Sequence, residues 1–222
     1  MSLKLWTEVD RYVEGLLIPS DAVLDAALRA SAEAGLPEIA VTPSQGKLLY
    51  LLAKMQGARR VLEIGTLGGY STIWMARALP PDGRLVTLEA EKKHAAVARK
   101  NIARAGLSEV VDLRLGPALR TLPELAAENG AVFDFAFIDA DKENTADYFA
   151  WALRMSHAGT AIVVDNVVRE GNVVDGETSD PGVQGIRRFN EALAIEPRVS
   201  ATTIQTVGSK GYDGFTLALV LS

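Results

Sequence analysis

The chain has 222 residues, of which 48% are hydrophobic, and this is enough apolar sequence for one α/β domain with a complete core. Its net charge is −5, its Lys and Arg are scattered among acids, and no apolar stretch approaches the roughly 20 residues of a membrane helix, so neither nucleic acid nor a membrane is expected as a partner. The absence of cysteine excludes disulfides, thiolate zinc sites and a cysteine nucleophile, and the N-terminus lacks a signal-peptide pattern, which predicts a cytoplasmic protein.

The N-terminal part is predicted to be helical, and the rest alternates between strands and helices. Helical patterns at 19–35 and 44–57 predict an N-terminal helical cap (1–58) on a core (59–222). The predicted strands of the core are 59–65, 83–90, 110–116, 133–140 and 159–167, and the predicted helices are 70–79, 91–106, 118–129 (interrupted near Pro123) and 143–156. Because the strands are almost continuously apolar, we expect a mostly parallel sheet with helices on both faces.

The C-terminal part follows a different pattern. A predicted helix at 182–197 is followed by two β-patterned segments, 198–207 and 213–221. The link between these segments is too short for a crossover helix, so they are expected to pair antiparallel at one sheet edge. The predicted fold is therefore a Rossmann-like, seven-stranded, mostly parallel sheet with a C-terminal antiparallel hairpin. No linker divides the chain, which predicts a single domain over 1–222.

A glycine-rich loop, VLEIGTLGGYST, joins the first predicted strand to its helix. In a doubly wound sheet nucleotides bind at this position, and the glycines Gly65, Gly68 and Gly69 allow close approach of backbone and ligand. Glu89 ends the second strand, 20 residues after Gly69, where an acid can accept hydrogen bonds from ribose hydroxyls. Glu63 would repel a pyrophosphate and suits a cationic ligand instead. Together these residues predict an adenosine site.

Four segments resemble a known enzyme family: VLEIGTLGGYST, GPAL at 116–119, FIDADKEN and VVDNVVREGNVVD. Their order and spacing resemble those of the metal-dependent S-adenosylmethionine (SAM) O-methyltransferases. This class comprises caffeoyl-CoA O-methyltransferase with its bacterial relatives and, more distantly, catechol O-methyltransferase. The resemblance covers the chain from about residue 40 to its end. It implies methyl transfer from SAM to a hydroxyl of a catechol-like, vicinal dihydroxy phenol.

The resemblance also implies which residues form the site. Implied cofactor-binding residues are Val41, Glu63, Gly65, Thr66, Ser71, Glu89, Ala118 and Asp139. Implied metal ligands are Asp139, Asp165 and Asn166, and the implied catalytic residues are Lys142 and Asp139. The plant enzymes carry threonine at the position of Val41, so only a backbone contact carries over there. The family further implies a homodimer with the N-terminal helices near the interface.

The implied ligand set is chemically coherent. Asp139, Asp165 and Asn166 offer only oxygen, and they follow two strands that are expected to be neighbours in the sheet. Oxygen ligands select a hard cation, so Mg²⁺ is expected, with Ca²⁺ or Mn²⁺ as alternatives. Three protein ligands leave about three octahedral positions for water or for two vicinal substrate oxygens. Lys142, three residues after Asp139, is the candidate general base.

Two other functions remain open on the sequence alone. A glycine loop followed by an acid also occurs in NAD-dependent oxidoreductases, although Glu63, the absent G-x-G-x-x-G spacing and the terminal hairpin argue against that class. A metal-binding or oligomerisation module without activity is the second alternative, and the intact Lys142 and ligand set argue against it. The polar, glycine-rich segment 169–185 is interpreted as a loop near the metal and a candidate substrate lid.

Overall fold

The computed structural model describes residues 2–128 and 130–222 and confirms the predicted sheet. Its strands are β1 Arg60–Ile64, β2 Arg84–Glu89, β3 Val111–Leu115, β4 Phe133–Ile138, β5 Ser156–Asp165, β6 Val199–Gly208 and β7 Gly211–Val220. The strand order is β3-β2-β1-β4-β5-β7-β6. Strands β1 to β5 are parallel, and β7 runs antiparallel to both β5 and β6. The C-terminal hairpin therefore extends one edge of a parallel sheet, as predicted.

Helices surround the sheet. They are α1 Leu3–Leu17, α2 Ala22–Glu33, α3 Pro43–Met55, α4 Tyr70–Ala76, α5 Lys92–Arg104, α6 Ala118–Ala126, α7 Thr145–Arg154 and α8 Pro181–Ala194. Two short 3-10 segments, Lys142–Asn144 and Arg169–Val174, follow β4 and β5. In the part of the chain that the structure describes, no helix is long and apolar enough to cross a membrane.

The predicted cap helices begin at residues that can cap them. The Asp21 carboxylate accepts hydrogen bonds from the Val23 and Leu24 amides at the start of α2. The Thr42 hydroxyl accepts one from the Gln45 amide at the start of α3, and Pro43 occupies the first position of that helix, where its missing N–H costs nothing. These local signals are why the two helical patterns of the cap form helices at the expected places.

Two hydrophobic clusters lie on opposite faces of the sheet. Leu62 and Ile64 of β1 belong to the cluster that packs under α7 and α8. Val61, between them in sequence, belongs to the other cluster, with Leu24 of α2 and Leu49 of α3. The alternation along β1 follows from the two-residue period of a strand. Helices α2 and α3 of the cap therefore share a cluster with the core.

Several predicted boundaries differ from the structure. β5 begins at Ser156, three residues before the predicted start at 159, because Ser156 pairs with Phe133 ahead of a register shift between the strands. The predicted interruption of α6 is wrong: the helix runs through Pro123, where it loses a single backbone hydrogen bond. The predicted end of that helix, Asn129, lies outside the described residues.

Two further segments add detail to the prediction. Helix α1 lies within the predicted helical cap, ahead of the two delimited helical patterns, and Leu3–Leu17 contains no buried residue. In the predicted loop 169–185, a 3-10 segment comes first and α8 already begins at Pro181, capped by the Asp180 carboxylate. The hairpin turn is also tighter than predicted, since β6 ends at Gly208 and β7 begins at Gly211.

Close backbone packing brings the glycine loop to the end of β4. Gly65 has φ +102°, and a Cβ at this position would lie 2.0 Å from the Asp139 carbonyl oxygen. Only glycine fits both the conformation and the approach. The cofactor loop predicted after β1 and the acid predicted after β4 are therefore held against each other by the backbone.

Candidate active site

A cavity of about 630 Å³ lies at the carboxyl ends of the parallel strands, a size typical of small-molecule sites. The predicted site residues that line it are Val41, Gly65, Thr66, Ser71, Glu89, Ala118, Asp139, Lys142 and Asn166. The other two, Glu63 and Asp165, are buried behind this wall. The fold thus brings the residues implied by the resemblance into one region, as expected for a parallel α/β sheet.

Glu89 anchors the glycine loop at one end of the cavity. Its Oε2 accepts hydrogen bonds from the backbone amides of Thr66 (3.2 Å) and Leu67 (2.7 Å), and its Oε1 accepts one from the Glu91 amide (2.9 Å). Oε2 thus has both lone pairs occupied, whereas Oε1 accepts only the Glu91 amide and has a lone pair left for a ligand. The residue therefore combines a structural role in the loop with a free face toward the cavity.

Glu63 lies beneath the loop and is fully buried. The hydroxyls of Ser71, Thr72 and Thr87 all donate hydrogen bonds to its carboxylate. Burial raises the pKa of Glu63 to about 7, against the opposing effect of these three hydroxyls. Ser71, 2.6 Å from Glu63 Oε1, lines the cavity and is the link between this buried acid and any ligand.

Asp139 and Lys142 form an ion pair on the β4 side of the cavity. Lys142 Nζ lies 2.9 Å from Asp139 Oδ1, and the lysine side chain is only 11% exposed. Both residues follow β4, and the 3-10 segment starting at Lys142 folds the lysine back over the aspartate. An ammonium group is thereby held at the cavity wall, three residues beyond Asp139.

Asp165 ends β5 beside Asp139. The strands are in register, with Ile138 paired to Val164, so the two aspartates follow paired positions. Burial raises the pKa of Asp165, and the negative charge of Asp139 raises it further. Its Oδ2 accepts a hydrogen bond from Gln45 Nε2 at 2.6 Å, and its Oδ1 accepts one from the backbone amide of Asn166 at 2.8 Å.

Asn166 completes the predicted oxygen set. It adopts a left-handed backbone with φ +57°, a conformation that asparagine tolerates better than most residues, and it lines the cavity. Among the residues that the structure describes, no group of three His, Cys, Asp or Glu gathers as a metal site. The predicted ligand set is not a group of this kind, because it consists of two carboxylates, Asp139 and Asp165, and the amide of Asn166.

Four residues of the site were missed in the sequence. Gln45 of α3 donates a hydrogen bond to Asp165, which is 120 residues later in the sequence. Arg169, in the segment that follows β5, lines the cavity. His94 also lines the cavity, and its Nδ1 lies 3.4 Å from Glu89 Oε1. Tyr148 of α7 donates a hydrogen bond to Asp141. The glycine loop and the strand-end acids are local patterns, whereas these contacts depend on tertiary packing.

The segment after β4 is stiffened by Asp141. The Asn144 amide donates to Asp141 Oδ2 and the Tyr148 hydroxyl to Asp141 Oδ1. Burial and the neighbouring carboxylate raise the pKa of Tyr148, so its hydroxyl keeps its proton and remains a donor. This network ties the turn that carries Lys142 to helix α7.

Comparison with protein families and curated proteins gives a consistent result. A family model described as O-methyltransferase matches residues 19–221. A protein of Niastella koreensis named catechol O-methyltransferase is 54% identical, and the match covers 99% of this chain and 100% of that protein. A Mycobacterium tuberculosis protein of the same name is 53% identical over 96% of this chain and 95% of its own length.

Solved structures agree in fold and ligand. The O-methyltransferase from Bacillus cereus, solved in complex with SAH, is 58% identical with a TM-score of 0.97, over 99% of this chain and 100% of that one. TomG from Streptomyces achromogenes, involved in tomaymycin synthesis and solved with SAM, is 53% identical with a TM-score of 0.97 over 100% of both chains. These matches favour methyl transfer over the NAD-dependent oxidoreductase alternative.

Proposed function

The chain belongs to the O-methyltransferase family and is a SAM-dependent O-methyltransferase, and on this premise we propose that it methylates one hydroxyl of a catechol-like phenol with the help of a divalent cation. The observation that carries the proposal is the pair of acids that ends two adjacent strands. Asp139 and Asp165 follow paired positions of β4 and β5, beside the cavity that holds the predicted cofactor residues.

The donor set fits a hard cation such as Mg²⁺. Two carboxylates side by side repel each other, and a divalent cation would relieve this repulsion. Lys142 already neutralises Asp139, whereas Asp165 is bonded only to neutral groups, Gln45 and a backbone amide. Asn166 lines the same cavity. Asp139, Asp165 and Asn166 would hold the ion, as the family resemblance implies.

A phenolic hydroxyl has a pKa near 10 by analogy with tyrosine, so it is a poor nucleophile at neutral pH. Bound Mg²⁺ would supply a charge that lowers this pKa and would orient two vicinal oxygens. We assign the hydroxyl proton to Lys142 Nζ, which lies at the cavity wall next to Asp139. The step requires the neutral amine, so the bound cation would take the place of the lysine ammonium as the positive charge beside Asp139. Exclusion of water by the cavity walls favours the near-attack geometry between oxygen and methyl group.

The cofactor would occupy the glycine-loop end of the cavity. Glu89 offers the remaining lone pair of its Oε1 to the ribose hydroxyls of SAM, and Thr66 and Gly65 give the backbone of that wall. The ionised form of Glu63, reached through Ser71, suits the cationic methionine part. Val41 and Ala118 contribute apolar wall on either side.

We also propose a homodimer. Helix α1 buries none of its residues, and it exposes Leu3, Leu5, Val9, Tyr12, Leu16 and Leu17. The edge strand β6 is exposed along almost its whole length and adds Ile204 and Val207. Apolar surface of this extent on a helix and an adjacent sheet edge is typical of a protein–protein interface.

An acceptor comparison tests the proposed chemistry. With SAM and Mg²⁺ present, 3,4-dihydroxybenzyl alcohol should be methylated, whereas 4-hydroxybenzyl alcohol, which has one hydroxyl, should react at least about a hundredfold more slowly, because the catalytic effect of chelation needs two vicinal oxygens. Product formation is measured by transfer of a labelled methyl group. Equal rates with the two alcohols would contradict chelation of a catechol. The enzyme would then be an O-methyltransferase that does not need two vicinal hydroxyls.

A further inference from the structure

A second cation, Arg169, lines the cavity on the side of the predicted metal ligands. Its Nε is buried and has no hydrogen-bond partner among the residues that the structure describes, and within that part of the chain Arg169 forms no ion pair. A buried guanidinium nitrogen without a partner is costly, because it has lost its water without gaining an acceptor. Such a group in a cavity wall is a position at which a ligand can supply the acceptor.

The carboxylates around Arg169 are engaged elsewhere. Asp139 pairs with Lys142, and Asp180 caps α8 by accepting from the Gly182 and Val183 amides. Asp141 accepts from two side chains of its own turn. Among the residues that the structure describes, none of these carboxylates forms an ion pair with Arg169, whereas Lys142 is paired with Asp139, so the guanidinium can pair with an anionic ligand.

The backbone holds Arg169 in place. Asp213 of β7 accepts hydrogen bonds from the Val168 amide at 2.9 Å and from the Arg169 amide at 3.0 Å. Arg169 is left-handed with φ +56°, a conformation that an arginine keeps only when its surroundings enforce it. The guanidinium thus belongs to a loop that is pinned to the sheet close to Asn166.

We propose that Arg169 binds a carboxylate on the methyl acceptor, so that the enzyme prefers catecholic acids to neutral catechols. The proposal rests on the proposed function and names the substrate class of the same site. Arginine matches a carboxylate with two parallel hydrogen bonds, which are strong in a dry site and fix the orientation of the acceptor. Arg169 follows Asn166 by three residues, which puts this contact at the acceptor end of the cavity, away from Glu89.

The test compares 3,4-dihydroxybenzoate with 3,4-dihydroxybenzamide, a neutral acceptor of the same shape. The wild-type enzyme, supplied with SAM and Mg²⁺, should show a kcat/KM for the acid at least about tenfold above that for the amide. Arg169→Gln should raise KM for the acid about ten- to a hundredfold and leave the amide nearly unchanged. Arg169→Lys should keep part of the preference. The matched control is Arg154→Gln, which removes an arginine at the C-terminal end of α7, and this variant should behave as wild type.

Several outcomes would overturn the assignment. These are equal use of acid and amide by the wild type, a parallel loss with both acceptors in Arg169→Gln, or a fall in SAH affinity in that variant, which would put the guanidinium on the cofactor. If neither acceptor is methylated, the proposed function fails instead. Calorimetric titration of both acceptors into the Mg²⁺- and SAH-containing enzyme then still decides whether Arg169 selects the acid, without any turnover.

Discussion

In the proposed mechanism Lys142 takes the hydroxyl proton, and its contact with Asp139 fixes the position of its Nζ at the cavity wall. Replacement by methionine keeps the chain as far as Cε and removes the nitrogen. We expect Lys142→Met to lower kcat about 10²- to 10⁴-fold, the usual contribution of general-base catalysis, with little change in SAM affinity. Activity should recover as the pH is raised, because the hydroxyl then ionises without a base.

The control for this variant is Lys100→Met, an exposed residue of α5, which should leave kcat unchanged. Steady-state rates between pH 6 and pH 10 and calorimetric SAH binding measure the two effects. A less than fivefold fall in kcat at neutral pH, with an unaltered pH profile, would remove Lys142 from the mechanism.

Glu63 predicts a pH dependence of stability. Burial raises its pKa from an ordinary 4.5 to about 7, so the folded state holds the proton more tightly than the unfolded chain. The free energy of unfolding should therefore fall as the pH rises from 4.5 to 7 and stay level above that. The shift corresponds to about 3 kcal/mol.

Urea unfolding of cofactor-free, EDTA-treated protein at pH 5 and pH 8 measures this effect. Glu63→Gln cannot ionise, so its loss of stability between the two pH values should be smaller than that of the wild type by about 2.5 kcal/mol, the part of the shift that falls between pH 5 and pH 8. Glu124→Gln, an exposed position of α6, should follow the wild type. Identical losses in wild type and Glu63→Gln would mean that Glu63 is not a shifted buried acid.

Among the elements, helix α8 positions the turn that carries Lys142. A Cβ on Gly185 would lie 2.1 Å from the Lys142 carbonyl oxygen and 2.6 Å from the Glu143 Cα. Alanine there must therefore displace the backbone of the turn. We expect Gly185→Ala to lower kcat about a hundredfold, because a shift of about 1 Å in a catalytic group has an effect of this size. SAH affinity should be retained, since Glu89 and the glycine loop lie elsewhere.

Gly15→Ala is the matched control, since nothing lies within 4 Å of the added Cβ. Turnover numbers and calorimetric SAH binding distinguish the outcomes. Unchanged kcat in Gly185→Ala would show that the turn tolerates displacement and that Lys142 need not be held where the structure has it.

The elements also show what the sequence can and cannot predict. The order of strands and helices, the terminal hairpin and the strand-end acids follow from local apolar patterns and from the rule that parallel strands end at one edge. Arg169 and Gln45 could not be predicted, because their roles depend on a left-handed loop and on a contact spanning 120 positions. The run of α6 through Pro123 was missed because the tertiary packing of Leu122 and Leu125 outweighs one lost hydrogen bond.

At the scale of the whole molecule, the cap is tied to the core at several points. Gln45 of α3 bonds Asp165, Arg77 of α4 pairs with Asp21, and Asp10 of α1 accepts from the Ser209 amide in the hairpin turn. We propose on these contacts that the cap and the core form a single domain. Ala40 and Val41 of the cap also line the cavity, so the cap forms part of its wall.

The exposed apolar surface of α1 and β6 predicts the oligomeric state. Sedimentation at micromolar concentration should give a dimer of twice the 23.7 kDa chain. Tyr12→Glu, at a position 69% exposed in the monomer, should weaken the dimer, because the variant would bury a charge. Glu8→Gln, also in α1, keeps the surface polar and serves as a control. A clean monomer of the wild-type chain would contradict the proposed interface.

Metal dependence of methyl transfer is the claim on which the rest of the account depends, and removal of the metal tests it most directly. Purified enzyme is treated with EDTA, dialysed and assayed for transfer of the SAM methyl group to 3,4-dihydroxybenzyl alcohol, before and after Mg²⁺ is added. The account predicts that the EDTA-treated enzyme loses its activity, that Mg²⁺ restores it, and that Asp165→Ala stays inactive with Mg²⁺ while retaining its fold and SAH affinity. Full activity of the metal-free wild-type enzyme would contradict the account, because the oxygen ligands at the ends of β4 and β5 would then have no part in catalysis.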